Sequence, residues 1–252
     1  MIRIEGLDHR IGTAPILHDI TTTLPQGRLT ALIGPNGAGK STLLRLVGRL
    51  EPIRRGRITV DGLDVAATPT DRLARQMAIL GQQTAIASRL RVEQLVAFGR
   101  WPHHKGRAGP RDRAITARAL AAFDLTPLAH RFLDELSGGQ AQRAHIAMAF
   151  AQDTPWLLLD EPLNNLDMAH ARALMTRLRD LVDAQGRSVA MVVHEVNYAA
   201  AWADHVIAMK QGRILAEGPP DRVLTEQVLS ALYDTPVAVG RHLDRPLVLH
   251  HA

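Results

Sequence analysis

Cysteine is missing from this sequence, aromatic side chains are scarce, and no apolar segment is long. Without cysteine, the chain can form no disulfide, no thiol nucleophile and no cysteine-ligated zinc site. The longer apolar runs, such as residues 198–203, fall far short of the roughly 18 residues that a membrane-spanning helix needs. These absences exclude a disulfide-stabilised scaffold and a channel that spans the membrane by itself. Charged side chains near the start of the chain also argue against a secretory signal.

Lysine is rare as well, with three lysines among the thirty basic residues. The net charge is only +5, yet the pI is near 10.3, because almost nothing titrates between histidine and arginine. That pI is therefore no sign of nucleic-acid binding. Residues 89–118 contain eight basic and two acidic side chains, with Arg100 and Arg107 among the basic ones. We expect this segment to be exposed, either as a solvated surface or as a surface that faces an acidic partner or lipid head groups.

Short apolar runs alternate with helical patterns, as in a parallel sheet wrapped by crossover helices. The patterns predict strands at 28–33, 77–80, 156–159 and 188–193, and helices at 39–50 and 166–184. From residue 92 to 151 only helical patterns occur, which indicates a helical insertion of about 60 residues. We therefore expect a single domain over residues 1–252. Its α/β core would comprise residues 1–90 and 152–218, its helical subdomain residues 91–151, and its short C-terminal appendage residues 219–252.

The clearest motif is a phosphate loop. Residues 34–42 read GPNGAGKST, which matches G-x-x-x-x-G-K-[ST] between a predicted strand and a predicted helix. Glycines allow successive backbone N–H groups to point at one phosphate, and a lysine adds a positive charge for the β- and γ-phosphates. The serine hydroxyl can bind Mg²⁺. The candidate nucleotide-binding residues are Gly34, Pro35, Asn36, Gly37, Ala38, Gly39, Lys40, Ser41 and Thr42.

A second motif places two carboxylates at the end of an apolar strand. Residues 156–159 are apolar, and Asp160 and Glu161 follow them. Ligands of parallel α/β sheets bind at the carboxyl ends of the strands. We expect Asp160 to hold the hydration shell of Mg²⁺ and Glu161 to polarise an attacking water. Neighbouring side chains on a strand point in opposite directions, which suits that division of roles.

A third motif, LSGGQ at residues 136–140, opens a predicted helix, and its Ser137 precedes Asp160 by 23 residues. A second glycine-rich helix start is a second phosphate site. One chain needs two such sites for one nucleotide only if they belong to opposite faces. With these motifs in this order, nearly the whole chain resembles the nucleotide-binding subunits of the ATP-binding cassette (ABC) family.

That resemblance implies an α/β P-loop NTPase core with an inserted helical subdomain and an antiparallel β N-terminal part. It implies ATP and Mg²⁺ as ligands and a head-to-tail dimer with a second copy of the chain. In such a dimer, ATP lies between the phosphate loop of one copy and the LSGGQ segment of the other. The residues carried over to that interface are Ser137, Gly138, Gly139 and Gln140, together with Asp167 in the loop that bridges the two copies.

The resemblance also implies catalytic roles. Glu161 matches the residue that activates water, and His194, at the end of a predicted strand, matches the switch histidine that contacts the γ-phosphate. Gln82 matches the glutamine that contacts Mg²⁺, the attacking water and the membrane partner, with its neighbour Gln83 as the alternative. The implied metal-binding residues are therefore Ser41, Gln82 and Asp160.

The sequence departs from the family pattern at three positions. The aromatic residue that stacks on adenine in the family would fall at about Ile11, and no Tyr, Phe or Trp lies between Met1 and Gly34. Gly81 stands where a proline often precedes the glutamine. The loop after Glu161 reads PLNNLD, where many relatives have a Ser-Ala pair. The first departure leaves open how adenine is held.

The resemblance implies membrane-spanning permease subunits in separate chains, served by a periplasmic or lipid-anchored substrate-binding protein. It places the chain peripherally on the cytoplasmic face of the inner (plasma) membrane. Its motifs look most like those of iron–siderophore importers, and haem and vitamin B12 importers are the alternatives. A soluble ABC ATPase acting on nucleic acid or ribosomes is less favoured, because those proteins carry two cassettes or a coiled-coil insertion. We therefore expect no nucleic-acid partner. A non-hydrolysing regulator is disfavoured because Glu161 and His194 are both present.

Overall fold

The computed structural model describes residues 1–81 and 89–249, which form two main sheets with helices packed around them. The strands are β1 Ile2–Ile11, β2 Ala14–Leu24, β3 Leu29–Ile33, β4 Arg55–Val60, β5 Leu63–Asp64, β6 Met77–Leu80, β7 Trp156–Asp160, β8 Ser188–Val192, β9 His205–Lys210, β10 Arg213–Gly218, β11 Ala238–His242 and β12 Arg245–Leu249. The α-helices are α1 Lys40–Val47, α2 Thr70–Leu73, α3 Val92–Phe98, α4 Trp101–His104, α5 Pro110–Ala122, α6 Gly138–Ala151, α7 Met168–Asp183, α8 Val196–Trp202, α9 Pro220–Val223 and α10 Glu226–Tyr233.

The central sheet has the strand order β10-β9-β3-β8-β7-β6. Its five strands from β9 to β6 run parallel, and β10 is antiparallel to β9. Every residue of β3, β7 and β8 is buried, because helices or the second sheet cover both faces. The predicted strands are confirmed to within one or two residues of their observed ends.

The second sheet is antiparallel, in the order β2-β1-β4-β5. Ile2, Ile4 and Leu7 on β1 are buried with residues of α1 and of the central sheet in one apolar cluster. The alternation of buried and exposed residues along β1 and β2 is typical of a sheet with one face on the core. The expected antiparallel N-terminal part is thereby confirmed.

Helices also account for most of residues 92–151, as the sequence predicts. There α3, α5 and α6 pack on each other through a core that includes Leu95, Val96, Ala119 and Ile146. Beyond β10, residues such as Leu229, Leu232 and Val248 join the same apolar core. Within the described parts of the chain, no helix combines the length and apolar character needed to cross a membrane.

Two predicted helices are shorter than expected, each for a local reason. The helix expected to reach residue 50 ends at Val47, since Gly48 caps it and Arg49 adopts a positive φ of 53°. The helix expected from residue 166 starts at Met168, because Asp167 caps its N-terminus by accepting a hydrogen bond from the His170 N–H.

The expected exposure of Arg100 is wrong. Arg100 is 3% exposed, and its guanidinium lies 3.1 Å from the Asp112 carboxylate. It also donates to the carbonyl oxygens of Ala151 and Gln152. The last carbonyls of a helix have no partner within it, and here a buried arginine satisfies those at the end of α6. Arg107, in the same basic segment, is exposed as predicted.

Arg100 should therefore contribute to stability, and Arg107 should not. Replacing Arg100 by alanine leaves the Asp112 carboxylate and two carbonyl groups without their partner, which should lower the free energy of unfolding by about 3 kcal/mol. The matched control Arg107→Ala should change it by less than about 0.5 kcal/mol. Urea unfolding followed by circular dichroism measures both, and equal losses in the two variants would contradict the structural role of Arg100.

Candidate functional site

The phosphate loop joins β3 to α1 and is shaped by close packing at two glycines. Gly34 has a φ of 142°, and a Cβ there would lie 2.0 Å from the Met209 carbonyl oxygen. Gly39 has a φ of 95°, and its Cβ would lie 2.6 Å from the Leu17 side chain. Only glycine fits either position without moving its neighbours. No side chain caps the N-terminus of α1, so its first N–H groups are available to an anion.

Lys40 lies inside this loop. Its Nζ donates to the carbonyl oxygens of Gly34 at 2.7 Å and Pro35 at 2.9 Å. Burial lowers the pKa of the Lys40 ammonium, and the carboxylates of Glu161 and Asp160 oppose part of that shift. A poorly hydrated cation held by neutral carbonyls is well placed to bind a phosphate oxygen.

Ser41 and Asp160 form a pair of oxygen ligands beside the loop. The Ser41 hydroxyl donates to Asp160 Oδ1 at 2.7 Å. Asp160 Oδ2 is buried and has no hydrogen-bond partner among the described residues. Burial raises the pKa of the Asp160 carboxyl, and the hydrogen bond from Ser41 opposes that rise. A buried carboxylate oxygen without a donor, next to a hydroxyl, fits a hard divalent cation such as Mg²⁺. Gln82 and Gln83 lie outside the described residues.

Glu161 does not lie on the strand, contrary to the expectation that it alternates with Asp160 along β7. The strand ends at Asp160, and Glu161 has a φ of 53°, which starts a turn. Its carboxylate Oε1 lies 2.7 Å from His194 Nε2. The Asn164 side-chain amide donates to Oε2, also at 2.7 Å. Sequence reasoning named Glu161 and His194 but missed Asn164, for which the preference of asparagine for turns was the available signal.

An open cleft of about 480 Å³ is lined by the phosphate loop from Asn36 to Thr42 together with Glu161 and His194. The apolar side chains of Ile11 and Ile16 also line it. The cleft therefore suits a ligand that joins phosphates to an apolar ring. Ile11, where the resemblance would place an aromatic residue, is 55% exposed, and its expected contact with adenine stays a prediction.

The LSGGQ segment does not line this cleft. Ser137 caps the N-terminus of α6, where its Oγ accepts from the Gln140 N–H while its own N–H donates to Gln140 Oε1. This reciprocal capping box confirms the predicted helix start. Ser137 and Gly138 are exposed, and Gly139 lies next to the backbone of Asn165. Within one chain this glycine-rich helix start is separate from the phosphate loop.

Asp167 also lies outside the cleft, at the start of α7. Its Oδ1 is 2.8 Å from both the backbone nitrogen and Nδ1 of His170. The hydrogen bond from the His170 N–H lowers the pKa of the Asp167 carboxyl. Its position in the chain shown here is that of a helix cap, and its expected contact with a second copy stays a prediction.

Comparison with known proteins shows which family and which structures this chain is similar to. Residues 17–164 match the family described as ABC transporter. The chain is 41% identical to the petrobactin import ATP-binding protein YclP of Bacillus subtilis (strain 168), covering 95% of each chain. It is 40% identical to the hemin import ATP-binding protein HmuV of Pseudomonas entomophila (strain L48), covering 99% of each. Among solved structures, the dimeric post-hydrolysis state of the ATP-binding cassette MJ0796, bound to ADP and Pi, matches with a TM-score of 0.78 and 25% identity, covering 87% of this chain and 98% of that one.

Ile11 offers a test of how the cleft holds a base. An aromatic side chain stacked on a base contributes about 1–3 kcal/mol, and Ile11 cannot stack in this way. Ile11→Tyr should therefore tighten ATP binding by about tenfold, as measured by fluorescence titration with a nucleotide analogue. The control Ile11→Val should leave the affinity within about twofold. An unchanged affinity in Ile11→Tyr would mean that the base does not lie against Ile11.

Proposed function

The chain belongs to the ABC transporter family, and from that premise we propose that it hydrolyses ATP to power the import of iron–siderophore complexes. The observation that carries this proposal is the cleft in which the phosphate loop, Glu161 and His194 meet, with Asp160 hydrogen-bonded to Ser41 of that loop. The likeness to the petrobactin import protein, which extends over 95% of both chains, supports a siderophore as the cargo.

Nucleotide binding rests on the loop between β3 and α1. The backbone N–H groups at the start of α1 and the Lys40 ammonium would hold the β- and γ-phosphates. Ser41 and Asp160 would hold Mg²⁺, with Gln82 as a third ligand. When bound, Mg²⁺ neutralises charge on the phosphates.

Hydrolysis then depends on Glu161 and His194. Glu161 would accept a hydrogen bond from the attacking water and so increase the nucleophilicity of its oxygen. His194 lines the same cleft, and its Nε2 can donate either to Glu161 or to a phosphate oxygen. A hydrogen bond from His194 to the γ-phosphate would therefore replace its contact with Glu161.

The working unit would be a head-to-tail dimer. Ser137, Gly138, Gly139 and Gln140 form a helix start that is exposed at Ser137 and Gly138 and does not line the chain's own cleft. A second copy would bring these residues to the opposite side of a bound nucleotide, with Asp167 at the contact between copies. The dimeric cassette bound to ADP and Pi supports this arrangement. Separate permease subunits would anchor the dimer at the cytoplasmic face of the membrane. A periplasmic or lipid-anchored binding protein would deliver the substrate to them.

Two substitutions separate binding from hydrolysis. Glu161→Gln keeps the size of the side chain but removes the charge that polarises water, so kcat should fall at least about a hundredfold while ATP still binds. Lys40→Ala removes the buried cation and should weaken ATP binding itself. Steady-state phosphate release and equilibrium nucleotide binding distinguish the two effects. Substantial hydrolysis by the Glu161→Gln variant would overturn the role of Glu161.

The cargo is tested in a strain that lacks this chain and any redundant ATPase. Uptake of radiolabelled iron should be lost with ferric siderophore as the source, and it should return with the wild-type gene but not with Glu161→Gln. Separate cultures receive haem or cobalamin, because the hemin import relative is 40% identical to this chain. Undiminished siderophore uptake together with lost haem uptake would show that haem is the cargo. It would not contradict the proposed ATPase activity.

A further inference from the structure

We propose that Asn164 is a positioning residue for hydrolysis, whose side-chain amide holds the Glu161 carboxylate in its working orientation. This inference rests on the proposed role of Glu161 as the residue that polarises water. Asn164 itself would touch neither nucleotide nor water. It would act on the rate only through Glu161.

A tight turn brings the two residues together. The Asn164 N–H donates to the Glu161 carbonyl oxygen at 3.3 Å, which closes a turn from Glu161 to Asn164. The Asn164 side chain then reaches back, and its Nδ2 donates to Glu161 Oε2 at 2.7 Å. The same pair is thus joined once through the backbone and once through the side chains.

The turn is itself fastened to the helical subdomain. The Gln142 side chain, buried on α6, donates to the Pro162 carbonyl oxygen at 3.1 Å. The proline restricts the backbone inside the turn. A φ of 53° at Glu161 is uncommon for a residue with a side chain, so the surrounding contacts have to maintain it. Asn164 supplies one of the contacts to the carboxylate itself.

A neutral amide is chemically suited to this task. It donates an N–H to the carboxylate without bringing a positive charge, so no neighbouring cation offsets the negative charge that polarises water. His194 contacts the other oxygen, Oε1, at 2.7 Å. Asn164 and His194 thus contact both oxygens of the carboxylate, and these contacts restrict its orientation. An aspartate of the same shape could not donate when ionised, and it would place a second negative charge beside Glu161.

Asn165 provides a matched control in the same loop. It has a φ of 63°, and its Cβ lies near Gly138 while its carbonyl oxygen lies beside Gly139. Asparagine and aspartate both tolerate this left-handed conformation. Asn165→Asp therefore makes the same chemical change one residue further along, on the side of the loop that faces α6, and it controls for the effect of an added negative charge in this loop.

The experiment compares Asn164→Ala, Asn164→Asp and Asn165→Asp in the full-length protein. Loss of a hydrogen bond to a charged group should lower kcat by about tenfold in Asn164→Ala. Asn164→Asp should lose more, because repulsion adds to the missing donor. The KM for ATP, the nucleotide affinity and the melting temperature should stay close to wild type in both, and Asn165→Asp should lower kcat less than Asn164→Asp does.

A purely structural role predicts the opposite order. Aspartate serves as well as asparagine in turns, so a residue that only shapes the turn would tolerate Asn164→Asp better than Asn164→Ala. That order, or a raised KM with an unchanged kcat, would overturn the proposal. If Asn164→Asp does not fold, Asn164→Ala decides, since an unchanged kcat there is equally contrary. Failure of the proposed function has a different signature, which is continued hydrolysis by Glu161→Gln.

Discussion

Parallel hydrogen bonding between β3, β8 and β7 is the constraint on which the site depends. Leu32 pairs with Val192, and Val192 pairs with Asp160, so the carboxyl ends of the three strands lie side by side at the same edge of the sheet. The phosphate loop leaves β3 at that edge, Asp160 and Glu161 end β7, and His194 follows β8. A slip of register in any of these strands would separate the loop from its carboxylates and from its histidine.

The same arrangement buries charges that favour ligand binding. Burial lowers the pKa of Lys40 and raises that of Asp160, so the protein surroundings disfavour the charged form of each. A phosphate beside Lys40 and a divalent cation beside Asp160 would each favour the charged form. Binding energy and folding energy are therefore linked at this site, and nucleotide should stabilise the fold. The stability of the large apolar core around the central sheet offsets the free energy that burying both charged groups costs.

The loop after β7 connects the cleft to two helices. Its Glu161 faces the cleft, the Pro162 carbonyl is held by Gln142 on α6, and Asp167 caps α7. Asn165 lies against the glycines at the start of α6. A displacement of that helix start by a second copy of the chain would therefore act on the turn that orients Glu161. Asn164 and Asn165, which contact Glu161 and the start of α6 respectively, stand where the family resemblance would place a Ser-Ala pair.

Much of this protein follows from the sequence by itself, and the rest depends on packing. The phosphate loop, the buried strands and the helix start at Ser137 were predictable, because glycine conformations, apolar runs and capping boxes involve a few adjacent residues. The burial of Arg100 was not, since the carbonyls that it satisfies belong to the distant end of α6. Nor was the contact of Glu161 with both His194 and Asn164, which requires a turn at the strand end and the neighbouring strand β8. Local hydrogen bonding is encoded in neighbouring residues, whereas contacts between distant residues arise only when the strands and helices pack together.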